Sequence, residues 1–146
     1  MSLSESISIK TNYTRSINLE RDADGLDAVK SYIPTSRALR TITRAKDSLQ
    51  DGKAQRAWSL VGPYGSGKSS FALFLSHLFG NKTTGQTKAA RKVLSEADPS
   101  LAKSIAKLDH EQLSVLITGS PEPLTKKILS AVLESAQLFY SKKSGK

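Results

Sequence analysis

The sequence predicts an α/β domain, a parallel sheet with helices on its faces, cut short within 146 residues. Three observations predict it. Ala57-Trp58-Ser59-Leu60-Val61 reads as a short buried strand and Leu113-Ser114-Val115-Leu116-Ile117-Thr118 as a second. Apolar residues at helical spacing alternate with these runs, as crossover helices on a parallel sheet do. Between the first strand and an apolar helix lies Gly62-Pro63-Tyr64-Gly65-Ser66-Gly67-Lys68-Ser69, which fits the phosphate-loop pattern G-x-x-x-x-G-K-[ST] at every fixed position.

Composition sets the outer bounds. Apolar residues make up 38% and charged residues 24%, the balance of a globular chain rather than a disordered one. Cysteine is absent, which excludes disulfides and cysteine-based zinc sites and suits a reducing compartment. His77 and His110 are too few and too far apart for a metal cluster. The longest apolar run, Phe71-Ala72-Leu73-Phe74-Leu75, is far below the ~20 residues that span a bilayer. Met1-Ser2-Leu3-Ser4-Glu5-Ser6 has neither a basic start nor an apolar segment, so the expectation is a cytoplasmic protein without a membrane partner. Lys and Arg number 22 against 13 acidic residues, a formal charge of +9. That excess draws the chain to polyanions without choosing among nucleotide, nucleic acid and membrane surface.

The elements follow in order. Ser6-Ile7-Ser8-Ile9-Lys10 alternates as an edge strand does, and residues 11–24 read as irregular. Residues 25–32 form a short helix that Pro34 stops. Thr35 or Ser36 then caps a longer helix with Ala38, Leu39, Ile42, Ala45 and Leu49 on one face, closed by Gly52. Its other face carries Arg37, Arg40 and Arg44. That stripe is either a solvated face, a contact with another domain, or a DNA or RNA contact. The helix after the glycine loop ends at Gly80-Asn81, residues 82–87 form a polar loop, and Asp98-Pro99-Ser100 separates two further helices in a hairpin over the sheet. Pro123 starts the last helix, with Leu124, Ile128, Leu129, Val132, Leu133 and Ala136 on its apolar face, before a polar, basic tail over 141–146.

The loop carries the chemistry. Glycines let successive N–H groups turn into one concavity that holds phosphate oxygens. The following helix turns its unpaired N–H groups and positive dipole end to the same anion. Residues Gly62, Pro63, Tyr64, Gly65, Ser66, Gly67 and Ser70 line the phosphates, Lys68 reaches the β- and γ-phosphates, and the Ser69 hydroxyl ligates Mg²⁺. The competing reading is a glycine-rich turn that spells the motif by accident; the strand–loop–helix flanks argue against it. A hydrolytic site also needs a carboxylate at the end of a neighbouring strand. The second strand ends in Thr118-Gly119-Ser120, and Glu122 comes too late among prolines, so no catalytic residue is identified. The expectation is therefore an amino-terminal piece of a longer ATPase. The competing reading is a complete protein that binds nucleotide without efficient turnover.

At this point the sequence resembles the start of an AAA+-type ATPase, in the branch containing origin-recognition and STAND-like signalling ATPases. The Walker A form of residues 62–69 carries the likeness, together with Tyr32-Ile33-Pro34-Thr35 before a capped helix and the order of strand and helix over 113–138. The resemblance implies ATP and Mg²⁺ as cofactors, adenine bordered by Tyr32, Ile33 and Pro34, and a longer parent able to oligomerise. It further implies that the Walker B acid, sensor residues, arginine finger and lid lie outside this chain. Large prokaryotic ATPases of anti-phage defence systems open similarly. The organisation implied is an extension over 1–29, a partial ATPase domain over 30–140 and the tail over 141–146. Two other function classes compete: a basic nucleic-acid-binding module with an accessory phosphate loop, and a small metabolite kinase, for which no complete sheet or acceptor lid is visible. No guanine signature is present, since Asn81-Lys82-Thr83-Thr84 lacks the required Asp.

Overall fold

A computed structural model describes residues 16–51, 55–108 and 111–144. Among them are six helices and no strand: α1 (Leu26–Lys30), α2 (Ser36–Gln50), α3 (Lys68–Leu78), α4 (Gly85–Ala97), α5 (Pro99–Ala106) and α6 (Leu124–Ser144). The expected parallel sheet is corrected by this result; the described fold is helical. Residues 6–10, read as an edge strand, and Gly52, read as a helix stop, lie outside the described residues.

Local chemistry places the helices where their caps are. The Ala38 N–H donates to Thr35 Oγ1 (3.2 Å), Thr87 N–H to Thr84 Oγ1 (3.2 Å) and Leu101 N–H to Asp98 Oδ1 (2.9 Å), each satisfying a first-turn donor. Thr84 starts α4 inside the stretch expected as a loop. Pro99 stands in the first turn of α5, where a missing N–H costs nothing.

The five shorter helices share one core. Val29, Ala38, Ile42, Phe71, Phe74, Leu78, Ala90, Leu94, Leu101 and Ile105 are buried in it together. Tyr32, just after α1, stacks on Phe74 with ring centroids 4.4 Å apart and tilts against Phe71 at 6.4 Å. The helical hairpin α4–α5 thus covers α1 and α3, not a sheet.

Both strand expectations fail for one reason. A strand exists only when a second backbone takes its N–H and C=O groups. Residues 55–61 run without regular structure and are exposed: Trp58 and Leu60 are more than two-fifths accessible and Val61 is 90% accessible. Residues 113–118 are half-buried for the most part, but their bonds go to helices and side chains. Gln112 N–H donates to Phe79 O (3.0 Å), Ser114 Oγ–H to Ser76 O (3.0 Å), and Thr118 N–H to Glu20 Oε1 (2.9 Å). With no sheet to cover, α6 leaves Leu124, Leu129, Leu133 and Leu138 exposed.

Lys127 of α6 meets the Glu20 carboxylate at 3.0 Å. Bonds from the Thr118 N–H and hydroxyl, then from Lys127, pull the Glu20 carboxyl from its ordinary 4.5 down to about 2. A carboxyl depressed in the folded chain contributes stability above its unfolded value and loses it as pH falls through the folded one. The Glu20 contact is therefore expected to survive from pH 7 to pH 5 and to weaken only below about 4.5, toward 2. An NMR titration of the Glu20 side-chain carboxyl checks this; a midpoint near 4.5 would show that solvent screening cancels the clamp.

No helix of the described residues is long and apolar enough to cross a membrane.

Candidate functional site

The glycine loop takes a tight, left-handed course at two of its glycines, without the sheet expected before it. Gly65 and Gly67 both have φ of +78°, the left-handed region that costs other residues energy. A Cβ on either would meet nothing within 4 Å, so the backbone and not space demands glycine there. At Gly62 the reverse holds: a Cβ would lie 3.0 Å from Ser66 Oγ, where the loop closes on itself. Ser66 N–H donates to Pro63 O (3.3 Å) across the turn.

Gly67 is the N-cap of α3 and offers no side-chain acceptor to the first turn. The leading N–H groups of α3, at Lys68, Ser69 and Ser70, have no acceptor within the helix. The Lys68 side chain curls back over the loop, its Nζ donating to Gly62 O (2.8 Å), Pro63 O (2.7 Å) and Ser66 Oγ (3.4 Å).

This loop forms one side of a cleft of about 860 Å³. All of residues 62–70 line it, together with Tyr32, Ile33, Thr35 and Arg37. Three sequence expectations therefore converge: the phosphate loop, two of the three residues expected beside adenine, and one arginine of the basic stripe. Pro34 is not among the lining residues. Tyr32 is a wall rather than a free stacking ring, because its face is engaged by Phe74; burial pushes its phenol up to about 12. Ile33, Leu60, Val61 and Tyr64 are the large apolar side chains exposed along it, Val61 and Tyr64 the most open at 90% and 92%.

The charges in the cleft are of one sign. Arg37 and Lys68 line it, and no Asp or Glu does among the described residues. Arg40 and Arg44 are exposed on α2 but stay outside. Glu122 faces a second cleft, about 650 Å³ between α3, α4 and α6. Among the described residues no group of three or more His, Asp or Glu could hold a metal. His77 is half-buried with Nε2 2.7 Å from Ala23 O, a packed helix residue; His110 lies outside the described residues.

Sequence reasoning missed two parts of the site. The spacing reads Arg37 as one of a stripe with Arg40 and Arg44, a candidate nucleic-acid contact, and does not show that it shares the cleft of the loop. Ser16 and Ile17, read as irregular chain, line the same cleft, and Ser16 Oγ lies 2.9 Å from the Tyr64 hydroxyl across 48 positions. No sequence spacing encodes that contact. Neither a protein-family model, nor a curated protein, nor a solved structure matches the chain.

Proposed function

We propose that the chain binds a nucleoside triphosphate, ATP with Mg²⁺, through residues 62–70. One observation carries the reading: two left-handed glycines, a lysine curled over the loop and the uncapped first turn of α3 converge on one cationic cleft. Triphosphate oxygens would take the N–H groups of the loop, and Lys68 would exchange the carbonyls of Gly62 and Pro63 for the β- and γ-phosphates. Arg37, at the start of α2, adds a second cation to the cleft. Ile33 and Tyr64 offer apolar surface to the base.

The residues fit Mg²⁺ in the way nucleotide sites hold it, through phosphates and water with few protein ligands. Ser69, in the first turn of α3, would supply a hydroxyl. Bound there, the ion would neutralise phosphate charge. The absence of a lining carboxylate among the described residues favours binding over turnover. The likeness of the loop to those of AAA+ and STAND-like ATPases supports ATP as the nucleotide and a longer ATPase as the setting.

A thermal melt with and without Mg·ATP tests the reading. A ligand at a hundred times its Kd stabilises by about 2.7 kcal/mol, which raises the midpoint by several degrees for a chain of this size. A midpoint indifferent to millimolar Mg·ATP would overturn it.

A further inference from the structure

Residues 16–24 run from the mouth of the loop cleft to the foot of α6 as one hydrogen-bonded turn. Asn18 Oδ1 accepts from the N–H groups of Glu20 (3.1 Å) and Arg21 (3.0 Å). Asp22 Oδ2 accepts from Asn18 N–H (2.9 Å), and Asp22 N–H donates back to Asn18 O (2.9 Å). The Arg21 guanidinium ties Asp22 Oδ2 (3.1 Å) to the Ser16 carbonyl (3.2 Å). These bonds tie Ser16, Asn18 and Asp22 to one another through the turn.

Both ends are fastened to parts that matter. At one end Ser16 Oγ meets the Tyr64 hydroxyl (2.9 Å) on the exposed shoulder of the glycine loop, and Ser16 and Ile17 line the cleft. At the other, the Glu20 carboxylate accepts from Thr118 N–H (2.9 Å) and from Lys127 Nζ (3.2 Å) at the start of α6. Ala23 O and Asp24 O rest on His77 (2.7 Å) and Gln86 (3.1 Å), which gives the turn a pivot on α3 and α4. The helix it holds leaves Leu124, Leu129 and Leu133 uncovered, so α6 has little apolar contact to keep it seated if the clamp opens.

We propose that residues 16–24 are a strap that couples occupancy of the nucleotide cleft to the seating of α6. The inference rests on the nucleotide reading above. Ser16 and Tyr64 both line the cleft, and a nucleotide seated over the loop shifts Tyr64 away from Ser16. Through the bonds of the turn the displacement passes over the pivot to Glu20 and releases Thr118 and Lys127. Linkage makes the coupling reciprocal: whatever loosens the Glu20 clamp in advance tightens nucleotide binding by the same factor.

The test uses the full chain and Mg²⁺ with a fluorescent N-methylanthraniloyl ATP. Glu20→Gln lies outside the cleft, yet it is expected to tighten binding about fivefold, the lower end of measured coupling factors. Ser16→Ala is expected to act in the same direction, and the double variant to gain little more than either single one. Hydrogen exchange supplies the second readout. In the wild type Mg·ATP should speed exchange at the Thr118 amide and over residues 124–130 while slowing it in the loop, and in Glu20→Gln those amides should exchange fast already. Affinity unchanged or weakened in both variants, with Thr118 exchange indifferent to Mg·ATP, overturns the strap and leaves the nucleotide site standing. A wild type that fails to bind Mg·ATP overturns both.

Discussion

Lys68→Met is expected to weaken Mg·ATP binding by roughly ten- to a hundredfold while leaving the melting point of the free chain within a degree or two. The first half follows from charge. A hydrogen bond to an ionised group contributes about 1.5–3 kcal/mol, and each 1.4 kcal/mol is tenfold in affinity. Methionine keeps an unbranched stem of similar length, so the loss reports the ammonium alone. The second half follows from position. In the free chain Lys68 Nζ bonds only exposed acceptors of its own loop, at Gly62, Pro63 and Ser66, and water replaces such partners at little cost. Isothermal titration with Mg·ATP, beside a denaturant melt of each protein, measures both. Equal affinity in the two proteins would remove the phosphate role of the loop. A large drop in stability would mean that the lysine holds the loop together instead.

How far the sequence foretold this molecule depends on what each signal encodes. Helix starts were legible because a cap is a local event: Thr35 and Asp98 lie three residues from the N–H groups they accept. The left-handed glycines and the contacts of Lys68 with Gly62 are local in the same sense, closing within seven residues. Strands are different. The apolar runs 57–61 and 113–118 state only that a segment suits a sheet, and a sheet needs a partner backbone at pairing distance. Neither run has one among the described residues. The first stays exposed; in the second, Ser114 bonds Ser76 and Thr118 bonds Glu20, after Gln112 bonds Phe79. The arginine stripe shows a different limit of spacing. Helical spacing puts Arg37, Arg40 and Arg44 on one face, and of the three only Arg37 lines the cleft. The meeting of Tyr32 with Phe74 was equally invisible, because a Tyr-Ile-Pro-Thr segment reads alike whether its ring faces a base or a core.

That last contact yields the contrasting prediction. Phe74→Ala is expected to lower folding stability by about 3–5 kcal/mol, the usual cost of emptying a buried phenylalanine site. Phe74 is 1% exposed at the centre of the cluster that joins α1, α2, α3, α4 and α5, so no single neighbour can move in to fill the space. The effect should not stop at stability. Tyr32 rests on the Phe74 ring at 4.4 Å, and Tyr32 and Ile33 line the cleft that the glycine loop also lines. Losing the ring beneath removes what fixes Tyr32 there, so Mg·ATP should bind several-fold more weakly even at a temperature where the variant remains folded. Phe74→Leu keeps most of the volume without the flat face; it should recover most of the stability and only part of the affinity. Denaturant melts and titrations on the three proteins separate the two effects. If Phe74→Leu restored both in proportion, Tyr32 would be a core residue alone and its stacking would carry nothing to the nucleotide. If Phe74→Ala lost stability but bound Mg·ATP as tightly as the wild type, Tyr32 and Ile33 would play no part in binding. Recognition would then fall to residues 62–70 and Arg37, a site that reads phosphate and is indifferent to the base.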